Sequence, residues 1–223
     1  MNLLIVSFNK GGISVTTTID SNIYSIMKAR KSVRVYDPTF SIPKEEIEEM
    51  IQMATSAPSS SNLQPWRFLV IQDQEVKKEL RTIANNQEQV ETSSAVIAVL
   101  GDHEMYQKVE QIYNQNFAEG HMNEAITKQM IDSTRRVYPQ ISTEARKNIA
   151  SFDAGLISMQ FMLLAKEKGY DTVTMGGFDK VKFAERFELP EGTFPIVLIA
   201  LGKAAAPAYG SSRLPVNDIV RFI

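Results

Sequence analysis

Ala57-Pro58-Ser59-Ser60-Ser61-Asn62-Leu63-Gln64-Pro65-Trp66-Arg67 joins an amphipathic stretch to the apolar run Phe68-Leu69-Val70-Ile71, and the chain is organised around it. Each proline lacks a backbone donor and restricts the residue before it, so this segment cannot be helix or strand interior. Upstream, Pro43, Glu45 and Glu46 suit a first helical turn, and Ile47, Met50, Ile51 and Ala54 recur at helical spacing. Downstream, the apolar run suits a buried strand. The serines and Asn62 offer short polar side chains to a ligand. An ordinary helix-to-strand loop has the same composition.

Working outward, the same alternation repeats. Asp73 can cap a helix carrying Val76, Leu80, Ile83 and Ala84, and residues 95–100 read as a second buried strand. Residues 172–175 read as a third strand, ending in Gly176-Gly177-Phe178-Asp179, and residues 194–201 as a fourth. Paired glycines at a strand end let a ligand approach the backbone, and a tight turn uses them equally well. Residues 102 to about 140 suggest two amphipathic helices split at Gly120. They form either an insertion covering a site or a plain helical hairpin. Ser142 opens the longest helix, which Gly169 should stop. From Ala154 to Ala165 it is apolar on nearly every side and must be buried all round. A second subunit or the interior of one monomer could supply the second cover. The expected fold is a single α+β domain over residues 20–223, preceded by a tail or edge strand over residues 1–19.

Composition excludes several chemistries. At 223 residues with 43% apolar content, the chain can close one well-buried core. Its formal charge of -2 argues against a nucleic-acid binder or a basic membrane surface. It has no cysteine, which removes disulfides, thiolate catalysis and cysteine-bound metal centres and fits a reducing cytoplasm. His103 and His121 are the only histidines, so no metal site is expected. No run approaches the roughly 20 apolar residues of a membrane span. Leu3 to Phe8 is too short, and too poor in flanking basic residues, for a signal peptide. No glycine-rich phosphate loop or dinucleotide fingerprint is present.

A candidate anion site stands out. In Arg30-Lys31-Ser32-Val33-Arg34, Arg30, Ser32 and Arg34 alternate as a helix gives way to extended chain. Alternate side chains of an extended segment share a face. Two guanidinium forks and a hydroxyl on one face suit a phosphate monoester. A solvated basic turn would look alike. Ser211-Ser212-Arg213-Leu214-Pro215 offers a second basic group near the end.

Taken in order, residues 30–36, residues 57–68, Gly176-Gly177-Phe178-Asp179 and Ser212-Arg213-Leu214-Pro215 resemble the nitroreductase family of FMN-dependent oxidoreductases. The resemblance covers about residue 20 to residue 223. It implies a mixed, mostly antiparallel sheet of four to five strands flanked by helices, in an intertwined homodimer. It also implies FMN as cofactor and NAD(P)H as electron donor. Carried over by position, Arg30, Lys31, Ser32, Arg34 and Arg213 would hold the phosphate and ribityl chain. Pro58, Ser59, Ser60 and Asn62 would reach the flavin from the second subunit. Asn86 would meet the polar edge of the ring, and Gly176 and Gly177 would lie near its N5. Gln89 and Ser211 stand where many members carry lysine, which bears on the redox potential more than on binding. The implied activity is ping-pong hydride transfer from NAD(P)H to nitroaromatics, quinones or similar flat acceptors. Another redox task on the same fold, such as reductive dehalogenation or dehydrogenation, and a flavin-binding module without turnover are the alternatives. No residue need act as nucleophile.

Overall fold

The computed structural model describes residues 22–223 and, ahead of them, strands β1 (Ser7–Asn9) and β2 (Gly12–Ser14), which pair antiparallel. The rest of the expected tail lies outside the described residues. The central sheet contains β3 (Trp66–Ile71), β4 (Ala95–Asp102), β5 (Asp171–Met175) and β6 (Thr193–Gly202), in the order β3-β4-β6-β5. Its three ladders are all antiparallel. A parallel bridge between Ser32 and Thr172 adds the only mixed feature among the described residues.

The apolar strands face two helical layers. Along β4, Ala95, Ile97 and Val99 enter one core cluster, and Val96, Ala98 and Leu100 the other. This is the period-two alternation of a strand buried on both faces, which explains the unbroken apolar run. The first layer holds α2 (Lys44–Ala54) and α7 (Thr143–Glu167), through Ile47, Met50, Ile157 and Phe161. The second holds α3 (Gln74–Ile83) and α8 (Lys180–Arg186), through Leu80 and Phe183. Burying a side chain such as Ile97 completely contributes about 1.5–3 kcal/mol, so these two clusters hold the sheet in place.

Caps set the helix limits. Asp73 accepts from the N–H groups of Glu75 and Val76, and Ser142 from that of Ala145. Gly169 follows α7 at φ 81°, where a side chain would be strained. Among the described residues α7 is also the one helix long and apolar enough to cross a membrane. Its contacts with the sheet and the buried Arg146 and Asp153 mark it instead as a core helix with one open face.

The insertion consists of α5 (Val109–Ala118) and α6 (Glu124–Val137), separated at Gly120 as expected. It has its own small core of Leu63, Met105, Val109, Tyr113, Ile131 and Ala150. Leu63 comes from the proline-flanked loop, so the hairpin is packed onto that loop. Three further α-helices complete the fold. Helix α1 (Ile23–Ala29) precedes the basic segment, and the short α4 (Glu88–Thr92) leads into β4. Helix α9 (Val216–Ile219) lies in the exposed C-terminal stretch.

Candidate functional site

The basic segment is extended because α1 ends at Arg30, whose φ and ψ are -63° and 119°. It then runs along β5, where the Val33 N–H donates to the Thr172 carbonyl at 3.1 Å. Past β6 the chain returns beside it: the Asp37 N–H donates to the Lys203 carbonyl and the Ala205 N–H to that of Val35. Residues 209–213 thereby close a cavity of about 370 Å³ with the end of α1. Arg30, Lys31, Ser32, Arg34, Ser211 and Arg213 all line it; the alternate spacing groups Arg30, Ser32 and Arg34, while Lys31 lies off that alternation. The cavity lining contains no acidic residue. Among the described residues, no carboxylate forms an ion pair with any of these cations.

Two buried polar atoms in this region lack partners. They are Arg30 Nε and Thr172 Oγ1. A buried donor without an acceptor costs about 1–3 kcal/mol, so an arginine left this way among other cations is suited to an incoming anion. The Arg213 guanidinium is instead folded back on its own turn, donating to Ser211 Oγ at 2.8 Å and to the Ser212 carbonyl.

A second cluster joins the α3–α4 turn to the paired glycines. Asn85 Nδ2 and Gln87 Nε2 both donate to the Gly177 carbonyl, at 2.8 and 3.0 Å. Gln89 is buried and donates to Gln87 Oε1. Asn86 and both glycines are exposed. The expected residues Asn86, Gln89, Gly176 and Gly177 are therefore neighbours through Asn85 and Gln87, which sequence reading missed.

The third cluster is the proline-flanked loop. Ser60–Asn62 forms one tight helical turn, with Ser61, Asn62 and Gln64 at positive φ. The loop is less free to serve a ligand than its composition suggests. Ser60 donates through its N–H and Oγ to the buried Asp153 carboxylate, and Ser59 Oγ accepts from the Gln64 N–H. Burial pushes the Asp153 carboxyl up, and the Ser60 bonds oppose the shift. The Tyr113 hydroxyl donates to the Ser61 carbonyl at 2.8 Å. Arg67 ties the end of the loop to β4 through a 2.6 Å ion pair with Asp102. Pro58 and Asn62 stay exposed, and none of Pro58, Ser59, Ser60 and Asn62 lines the basic cavity. Asp153 had a signal in the sequence: an acid at the edge of an all-apolar helical run needs a buried partner.

The profile described as the nitroreductase family matches residues 27–203. This chain belongs to the nitroreductase family. YdgI of Bacillus subtilis, provisionally named an NAD(P)H nitroreductase, is 42% identical over 204 residues, covering 91% of this chain and 98% of its own. A solved structure from Exiguobacterium sibiricum, described provisionally as a nitroreductase in complex with FMN, superposes with a TM-score of 0.88. It is 41% identical, covering 93% of this chain and all of that one. A CLA biosynthesis enone reductase of Lactiplantibacillus plantarum is 29% identical over 213 residues, covering 94% of this chain and 98% of its own. The nitroreductase fold thus accounts for the antiparallel sheet and its two helical layers.

Proposed function

We propose that this nitroreductase-family chain is an FMN-dependent oxidoreductase. It takes hydride from NAD(P)H and passes it to a flat acceptor such as a nitroaromatic or a quinone, in two half-reactions that share one pocket. The observation that carries the reading is the cation-lined cavity with the unpartnered Arg30 Nε. Its cations and the absence of any lining carboxylate fit a phosphate monoester. The FMN complex of a 41% identical relative supports the same cofactor.

FMN, when bound, supplies the hydride chemistry. The chain's residues bind and orient. Arg30, Arg34 and Arg213 hold the phosphate, with Lys31 adding charge and Ser32 and Ser211 adding hydroxyls. Asn86 and Gln89 meet the polar edge of the ring with neutral amides. Gly176 and Gly177 allow close approach at the redox end. Pro58, Ser59, Ser60 and Asn62 serve the site of a second copy in a homodimer, so each dimer has two sites. The α5–α6 hairpin covers the acceptor side. A cytoplasmic location goes with a nicotinamide donor.

The test is the visible spectrum of the purified protein, before and after anaerobic NADH and NADPH. Two flavin bands, about one FMN per chain, bleaching by a nucleotide and recovery on adding a nitroaromatic or quinone are expected. A colourless protein that takes up no FMN overturns the reading. Bound FMN that no nucleotide bleaches overturns the oxidoreductase part of it. The enone reductase relative favours a second acceptor class, activated double bonds, which the same titration can include.

A further inference from the structure

The α3–α4 turn is built in an unfavourable way. Asn85 and Asn86 both sit in the left-handed region, at φ 54° and 56°. A non-glycine residue held there is strained, although asparagine tolerates it best. Ala84 is buried at the end of α3, but Asn85 and Asn86 are both exposed, so burial of their own side chains does not explain the strain. What the turn achieves is convergence. It brings Asn85 Nδ2 and Gln87 Nε2 onto one acceptor, the Gly177 carbonyl. Gln87 also donates to the Ala84 carbonyl, and its Oε1 is fixed by the buried Gln89. A backbone bond from the Asp179 N–H to the Ile83 carbonyl straps the same two segments together. The Gly177 N–H, in contrast, has no partner among the described residues, and the glycine is exposed.

From this convergence we infer that Asn85 and Gln87 are positioning residues that hold the Gly177 backbone as a fixed donor to the flavin; the inference rests on the FMN reading above. The Gly177 carbonyl and N–H belong to adjacent peptides, which the bond from the Phe178 N–H to the Gly176 carbonyl ties together; local strain spent on holding this exposed pair points to a site whose geometry matters. A fixed N–H discriminates between redox states. The ring nitrogen it meets accepts a hydrogen bond when oxidised and carries its own hydrogen after hydride transfer. Held rigidly, the donor favours the oxidised form. Once loosened, it yields to the reduced form. Neither residue touches the reacting atoms.

The experiment compares wild type with Asn85→Gly and Gln87→Met, each loaded with FMN. Asn85→Gly removes the amide and relaxes the left-handed turn, so it folds without strain. Gln87→Met keeps the length and loses the donor. Gln72→Met is the control, because it removes a similar amide bond to the Ile42 carbonyl far from the glycines in sequence. The readouts are the FMN dissociation constant and the midpoint potential of the bound flavin. Each site variant should favour reduced over oxidised FMN by about threefold to tenfold, and tenfold is about 30 mV for a two-electron couple. The control should leave the potential at its wild-type value. Wild type that binds FMN, with site variants at an unchanged or lowered potential, overturns the inference and leaves the functional reading standing. Wild type that binds no FMN overturns both.

Discussion

Arg30 carries the most specific expectation at the scale of single residues. Its Nε is buried without a partner, and its neighbours in the cavity are other cations and hydroxyls. A hydrogen bond to a charged group is worth about 1.5–3 kcal/mol, so Arg30→Ala should weaken FMN binding about 10- to 150-fold. Arg30→Lys should recover only part of this, since an ammonium keeps the charge and loses the fork. Fluorescence titration of FMN measures both, and an unchanged affinity in Arg30→Ala would remove Arg30 from the site. Asp153 acts differently. It satisfies both the N–H and the hydroxyl of Ser60, so Asp153→Ala should cost about 1–3 kcal/mol in denaturant unfolding. Asp153→Asn retains an acceptor and a donor and should cost less at neutral pH. The sign of the pH effect follows from the raised carboxyl: the folded state binds the proton more readily than the unfolded chain. Asp153 therefore becomes more favourable as the pH falls through its folded-state range, and the gap between wild type and Asp153→Asn should move in the same direction. The two residues also differ in how legible they are. Arg30, Ser32 and Arg34 lie close together in sequence, and alternation in an extended segment is enough to group them. Asp153 meets a serine 93 positions away, which no local pattern encodes.

At the scale of elements, one guanidinium closes the helical insertion. Arg146, near the start of α7, donates from Nε to the His103 carbonyl at 2.8 Å and from Nη1 to the Ile141 carbonyl at 2.6 Å. Its Nη2 pairs with Glu104 at 2.6 Å. His103 and Ile141 flank the insertion on either side, so Arg146 clasps its two ends together. Removing one member of a buried pair costs about 3–5 kcal/mol, and Arg146→Met should lose about that much in denaturant unfolding. A cost below about 1 kcal/mol would show that the insertion is held by its own small core instead. The pair also sets an acid limb. The Tyr106 hydroxyl, then Arg146 and His103, hold the Glu104 carboxyl at about 2 instead of 4.5, against the opposing effect of burial. A depressed carboxylate contributes fully above its unfolded value and loses that contribution as the pH drops toward the folded one. The Tm difference between wild type and Glu104→Gln should thus be largest near neutrality and shrink between about pH 4.5 and 2. A constant difference across that window would assign the acid limb to other carboxylates. Most elements themselves were readable, because β4 and β6 are buried on both faces and keep unbroken apolar runs. The strand ends were less so. Trp66 and Arg67 join β3 through pairing with Gly101 and Leu100, a tertiary choice that overrides the turn chemistry of Pro65.

At the scale of the molecule, the covering of α7 decides the assembly. Its inner face, through Ala154, Ile157, Phe161 and Ala165, closes on the sheet. Among the described residues its outer face meets only α1 and is left open beyond it. Leu156, Met159, Leu163 and Leu164, with Ile23 and Ile26 of α1, line an open groove of about 490 Å³, and Phe152 is 66% exposed. The C-terminal stretch adds Leu214, Val216, Ile219, Phe222 and Ile223, all exposed. The sequence required a second cover for this helix without saying whose, and the described residues of one chain do not complete it. A homodimer with α7 at its centre is the expected solution, since a contiguous apolar face this large on a monomer is a site of association. Met159→Glu places a carboxylate in that face, where an unpaired charge is expensive to bury. It should weaken dimerisation at least about 100-fold in sedimentation equilibrium, while the sheet and its two inner cores keep the circular dichroism of wild type. The flavin band tells more than the mass does. If residues 58–62 serve the site of the second copy, the Met159→Glu monomer loses FMN at concentrations where wild type retains it, and restoring the dimer at high protein concentration restores the colour. A monomer that holds FMN as tightly as wild type would return those serines to a purely structural role, with Ser60 donating to the Asp153 carboxylate and nothing more.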